Sequence, residues 1–211
     1  MVRGAPMPDD RDADLFEASL MLLAGAATPR GLDRRAGQDP WAALDTDVRL
    51  MVEFDTEPAA ARFTDVMHAV PDARCWTRRR LTGIRRRYET FVVDVDGAEP
   101  STVVGCLRDE WTCTAGFLLG SDTVNDVALR ARAAAVWRSA LLTAAPRVSS
   151  AGLRLRERHR ASVRLLLRAA QLLGVTCQVR PARGSQSIHV EGRGVITLLS
   201  TIRLASGPEE A

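Results

Sequence analysis

Six arginines, Arg78, Arg79, Arg80, Arg85, Arg86 and Arg87, bracket Thr82-Gly83, with Trp76 and Tyr88 just outside them. A guanidinium is planar, permanently charged and rich in N–H donors, a match for phosphate oxygens that an ammonium group does not offer. The flanking stretches break at a glycine, which predicts a β-hairpin whose tip gathers these charges, successive side chains taking opposite faces. A sparser set follows, with Arg154, Arg156 and Arg158 on an alternating run and Arg180 and Arg183 on a second hairpin-like stretch. Phosphate contacts from such residues give affinity that falls with salt and reads little sequence. The same pattern also fits a solvated loop tip, ion pairs with acids elsewhere in the chain, or a surface that docks a protein.

Residues for other chemistries do not fall into working patterns. Cys75, Cys106, Cys113 and Cys177 form no CxxC pair, and His68, His159 and His189 lie in no HExxH, so structural zinc is not expected. Ser149 and Ser150 sit in no nucleophile elbow, and neither GxGxxG nor GxxxxGKS/T is present to cradle phosphates. The expectation is a protein with no catalytic residues, no metal and no cofactor.

All 29 basic residues are arginine, an excess that Arg- and Ala-favouring codon usage explains as well as function does. The net charge of +3 conceals a split: through Asp126 there are 15 Arg against 22 acids, and from Val127 onward 14 Arg against 4 acids. That asymmetry points to an anionic partner for the second half, or to neutralisation between the halves. No apolar run approaches the ~20 residues of a membrane span. Residues 1–14 are charged and Pro-containing rather than a signal peptide, so a cytoplasmic protein is expected.

The elements that must hold these arginines recur in one order. Residues 15–27 read as a buried helix, 48–55 as a half-buried strand, and 56–70 as a helix opened by Thr56 and Pro58. Two strands of a hairpin follow over 73–80 and 87–96, then a short helix over 100–108 and an aperiodic linker over 111–126. Helix 128–144, with Leu129, Ala133, Val136, Trp137, Ala140 and Leu141 on one stripe, restarts the series. Strand 152–158, helix 161–173 ending at Gly174, strands 175–180 and 187–191 around Gly184, and helix 195–204 complete it. Repetition of this kind predicts two halves, 15–110 and 127–205, joined by 111–126 and flanked by an arm (1–14) and a tail (206–211).

The small-residue helices carry a family likeness. Leu23-Ala24-Gly25 followed by Gly31 resembles a decayed copy of the LAGLIDADG motif of homing endonucleases. The wider pattern resembles the N-terminal domain of WhiA-type regulators of sporulation and cell division. It runs from residue 17 to residue 204, through VEFDTEPAAARFTDVM (52–67), GIRRRYETFVVDV (83–95), AAVWRSALLTAA (134–145) and LLLRAAQLLGVTCQVRPARGSQSIHVEGRGVITLLSTI (165–202). The resemblance implies an α+β, LAGLIDADG homing-endonuclease-like fold of two pseudo-symmetric αββαββα halves, whose sheets and hairpins straddle DNA. It implies a nucleoid-associated DNA-binding regulator, with a protein-interaction module that modulates a regulator as the alternative. The family's C-terminal helix-turn-helix has no counterpart, so a lone paralogue of the endonuclease-like domain is expected, and promoter-specific activation is not. The duplication removes the need for a dimer, and a monomer is expected.

In the resembling nucleases an acid at the foot of each motif helix holds the divalent metals that polarise phosphate and activate water. Here the first foot falls on Arg30, or on Ala26, Ala27 or Thr28 in a shifted register, with Asp33 the nearest acid. The second falls on Ala144 between Thr143 and Ala145, and no Asp or Glu occurs between Asp126 and Glu157. The resemblance therefore implies a degenerate endonuclease fold that does not cleave.

Overall fold

The computed structural model describes residues 8–25, 41, 44, 49–83, 88–121, 126–144, 146–157 and 160–202. The chain divides into two compact units, one ending at Gly116 and one beginning at Phe117. In the first unit the order is α1 (Pro8–Gly25), β1 (Leu50–Phe54), α2 (Glu57–Met67), β2 (Arg74–Thr82), β3 (Tyr88–Asp96) and α3 (Pro100–Gly120), the last crossing the boundary. The second unit continues with α4 (Val127–Thr143), β4 (Arg147–Ser149), β5 (Gly152–Glu157), α5 (Arg160–Leu172), β6 (Cys177–Ala182), β7 (Ser185–Glu191) and α6 (Gly192–Ile202).

The first sheet is antiparallel in the order β1-β3-β2. Its register sets Leu50, Val52 and Phe54 beside Val95, Val93 and Phe91 on one face. That face meets α2, where Phe63 lies 5.3 Å from Phe54 between ring centroids. Helix α1 packs on α2 and also on β1, where a side chain at Gly25 would collide with Val52 Cγ1. Arg62 ties α2 to α1 twice: it donates through Nε and Nη2 to both carboxylate oxygens of the fully buried Glu17 (2.9 and 2.8 Å) and from Nη2 to Asp14 Oδ1 at 2.9 Å. Thr56 caps α2, accepting from the Ala59 amide at 3.4 Å, and Pro58 occupies the first turn, where its missing N–H costs nothing.

The second sheet is also antiparallel, in the order β4-β5-β7-β6. Leu153 and Leu155 of β5 face Val190 and Ile188 of β7 on the buried side, with Leu198 and Ile202 of α6 in the same core. Trp137 of α4 is fully buried, as its place on the helical stripe predicts, and its indole N–H donates to the Leu166 carbonyl of α5 at 3.1 Å. Arg168 of α5 donates to the carbonyls of Leu118 (3.2 Å) and Ser121, capping the C-terminal end of α3.

Several boundaries differ from the sequence expectation. Helix α1 begins at Pro8 rather than at residue 15, because proline's fixed φ suits a first turn. Helix α3 runs on to Gly120, so the helix over 100–108 and the linker over 111–126 are one element for most of their length. Its buried stripe of Val103, Leu107, Thr114, Ala115 and Leu118 passes through a threonine and an alanine, which hides the period. Strand β4 is three residues long, too short for alternation to show. The second unit displays αββαββα in full; in the first, residues 26–40 and 45–48 ahead of β1 lie outside the described set.

Candidate functional site

Each sheet has one face against helices and one open face, and the registers fix which side chains share the open face. In the first unit these are Met51 and Glu53 of β1, Val92 and Asp94 of β3, and Trp76, Arg78 and Arg80 of β2. Asp94 is 2% exposed on this face. Arg78 donates from Nε to Asp94 Oδ2 at 2.8 Å and from Nη2 to Met51 Sδ at 3.5 Å. Arg49 reaches Asp94 Oδ1 at 3.6 Å, with its guanidinium 5.7 Å from the centre of the Trp76 ring. Two arginines thus share one buried carboxylate. Arg79 lies on the other face of the strand, ion-paired with Glu89. Arg80, opposite Thr90, is exposed and has no ion-pair partner among the described residues.

The second unit answers position for position. The pairs Cys75↔Val95 and Cys177↔Val190 open matching hairpins, and Leu50↔Val95 matches Leu153↔Val190. Counting along these registers, Met51, Glu53, Arg78 and Asp94 of the first sheet correspond to Arg154, Arg156, Arg180 and His189 of the second. Where the first unit places its carboxylates, the second places an arginine and a histidine. Arg147 of β4 pairs with Arg154, and Arg154 pairs in turn with His189. Arg156 and Arg180 both pair with Ser187. All four arginines are exposed, and none has an ion-pair partner among the described residues. Among the described residues Glu191 is the one carboxylate on this face; it accepts from the Gln178 amide N–H at 2.8 Å, and the Gln178 amide oxygen accepts from Arg180 at 3.2 Å.

His189 is half-buried, with Nε2 3.1 Å from Ser187 Oγ. Partial desolvation, then the charges of Arg154 and Arg180, push its pKa below the usual histidine range. The matching thiols, Cys75 and Cys177, are pushed up by burial to about 11.

Of the arginines singled out in the sequence, the structure brings Arg154, Arg156 and Arg180 onto one face and sets Arg183 in the turn beyond β6, beside Gly184 at φ 69°. Arg85, Arg86, Arg87 and Arg158 lie outside the described residues, as does Arg30 at the first helix foot. At the second foot, Ala144 caps α4, and the Thr143 hydroxyl donates back to the Ser139 carbonyl at 2.7 Å. Among the described residues no three His, Cys, Asp or Glu side chains converge as metal ligands would. Arg147, Ser187, His189 and the counter-ion Asp94 escaped the sequence reading. Alternation in SQSIHVE held the signal, but only the register shows what faces what. Trp76 is 42% exposed, with the Arg49 guanidinium over its ring.

No protein-family model matches the chain, and no curated protein matches it. Solved structures do. The homing endonuclease I-DmoI, crystallised in complex with DNA and Mn, superposes with a TM-score of 0.52 at 13% identity, over 91% of this chain and 98% of that one. This chain has the LAGLIDADG homing-endonuclease fold. A mesophilic variant of I-DmoI gives a TM-score of 0.50 at 13% identity, over 92% and 98% of the two chains. The N-terminal LAGLIDADG domain of DUF199/WhiA aligns over 100% of this chain and 98% of its own, at 11% identity and a TM-score of 0.49. With the LAGLIDADG fold assigned, the open sheet faces are the surfaces to test. Among the described residues, no helix is long and apolar enough to cross a membrane.

Proposed function

We propose that this chain is a non-catalytic DNA-binding regulatory protein that grips the phosphate backbone through the open faces of its sheets. One observation carries the reading: Arg147, Arg154, Arg156 and Arg180 share a face with no ion-pair partner among the described residues. Exposed guanidiniums so crowded repel one another, and an external polyanion relieves that repulsion while gaining multi-donor contacts. Arg80 and Arg183 extend the set, with Arg85, Arg86, Arg87 and Arg158 joining it by sequence. The fold shared with I-DmoI, which has been crystallised with DNA, supports the same reading.

Absence of cleavage belongs to the proposal. The foot of α4 offers a methyl group and an internally bonded hydroxyl, neither of which replaces a metal-binding carboxylate. The sequence resemblance to WhiA supports a regulatory role connected with sporulation or cell division, carried out by a cytoplasmic, nucleoid-associated monomer.

Fluorescence anisotropy with a short labelled duplex tests the reading. If four phosphates are neutralised, raising salt from about 50 to about 200 mM weakens binding about a hundredfold. Changing Arg147, Arg154, Arg156 and Arg180 together to Ala removes both the binding and its salt dependence. No binding by the native chain at low salt overturns the reading. A second reading, a protein-interaction module, rests on α6, where Ile196 is 72% exposed and Leu199 lies beside it on the surface. An apolar contact there would persist as salt rises.

A further inference from the structure

The two open faces part at a register position that carries a carboxylate in one unit and an imidazole in the other. In the first unit it holds Asp94, which accepts a hydrogen bond from Arg78 at 2.8 Å and lies 3.6 Å from Arg49. In the second it holds His189, with Arg154 directly across on β5 and Arg180 on β6. The remaining groups around His189 are Arg156 on β5, Arg147 beyond on β4, Gln178 across on β6, and Ser187 and Glu191 two residues away on β7. Glu191 is the only carboxylate among them, and it is already engaged by Gln178. The second unit therefore has an internal copy of the Arg78–Asp94 site from which the anion has been deleted and a titratable base put in its place.

We infer that this position is a phosphodiester site in which Arg154 and Arg180 clamp a backbone phosphate and His189 takes up a proton as the phosphate binds. The inference rests on the DNA-binding reading and specifies which group of that face answers the ligand. Without ligand, partial desolvation and then the charges of Arg154 and Arg180 favour the neutral imidazole. A phosphodiester seated on those guanidiniums reverses the local field. It then favours the imidazolium, which gains a charge-assisted hydrogen bond of its own. Ser187, against Nε2, holds the ring in place. The sign follows from linkage: a complex that binds one more proton than the free protein tightens as pH falls. In the first unit Asp94 already fills the equivalent place, so Arg78 contributes no such site.

The test is duplex binding measured at constant ionic strength between about pH 8 and about pH 5.5, for the native chain, His189→Gln and His189→Asp. Native affinity should rise about tenfold across that range, as for one proton whose binding is favoured by the ligand. His189→Gln should show no rise in affinity on acidification, whatever its affinity at high pH. His189→Asp restores the carboxylate of the first unit, ties up Arg154 and Arg180, and should bind at least about tenfold more weakly at every pH. Salt-sensitive binding that is flat with pH, or a rise that survives in His189→Gln, overturns the inference and leaves the DNA-binding reading standing. Native-like affinity of His189→Asp does the same. Absence of native binding at any pH removes both.

Discussion

The four cysteines illustrate how burial sets reactivity one residue at a time. Cys75 and Cys177 occupy equivalent positions near the starts of β2 and β6, and burial holds both thiols up at about 11. The thiolate is the reactive form, so at pH 8 only about one such side chain in a thousand is primed to react. Cys106 is raised as well, by burial first and then by Glu110 and Asp109, whereas Cys113 is exposed on α3. Iodoacetamide labelling followed by mass spectrometry should modify Cys113 first and Cys75 and Cys177 last, with the slow pair accelerating as pH rises towards 11. Early modification of Cys75 or Cys177 would contradict their burial. The sequence excluded a CxxC site, but the order of reactivity belongs to the packing, since nothing in the spacing of these residues says which face of a strand or helix each takes.

Among the elements, the β4–β5 hairpin is the least visible in sequence and the most demanding of one residue. Gly152 adopts φ 133°, and a methyl group there would collide with the Val190 carbonyl oxygen of β7. Both the left-handed backbone and the close approach require glycine. Gly152→Ala should therefore destabilise the protein by about 2–4 kcal/mol, read as a lowered denaturant midpoint. It should also weaken duplex binding, because Arg147 and Arg154 are held as neighbours by the same hairpin. Unchanged stability would mean that Gly152 does not press against the Val190 carbonyl of β7 as described. Longer elements were legible: α2 announced itself through Thr56 and Pro58, and β5 through its Leu-Arg-Leu-Arg alternation. Helix α3 was not, because Thr114 interrupts its apolar stripe while remaining 3% exposed, its hydroxyl bonded to Glu110 one turn earlier.

For the molecule as a whole, the charge split between the halves acquires a local meaning. The acids of the first unit are partly spent on its own arginines, Asp94 on Arg49 and Arg78, Glu89 on Arg79, and Glu17 and Asp14 on Arg62. In the second unit Arg147, Arg154, Arg156 and Arg180 are exposed on one sheet face, with no ion-pair partner among the described residues. The fold is that of a homing endonuclease, and the proposal that it does not cleave rests on the sequence resemblance, which aligns Arg30 and Ala144 with the metal-binding acids. Supercoiled plasmid incubated with the protein and Mg²⁺ or Mn²⁺ should remain supercoiled, while a gel shift with the same plasmid responds to salt. Nicking or linearisation that an Asp33→Asn variant abolishes would show that a metal site has been assembled from other residues.

By itself the sequence determined the α+β class, the order of the elements apart from β4 and the length of α3, the duplicated plan and the presence of two arginine-bearing hairpins. Those follow from local periodicity, caps and turn residues, which act within a few positions of one another along the chain. It could not separate Arg78 and Arg79, adjacent in sequence and sent to opposite faces with different counter-ions. Nor could it pair Asp94 with Arg49, or set His189 between Arg154 and Arg180. Those relations arise across strands, where register decides which side chains meet. Register is fixed by burying one face of each sheet against its helices, and that packing is tertiary.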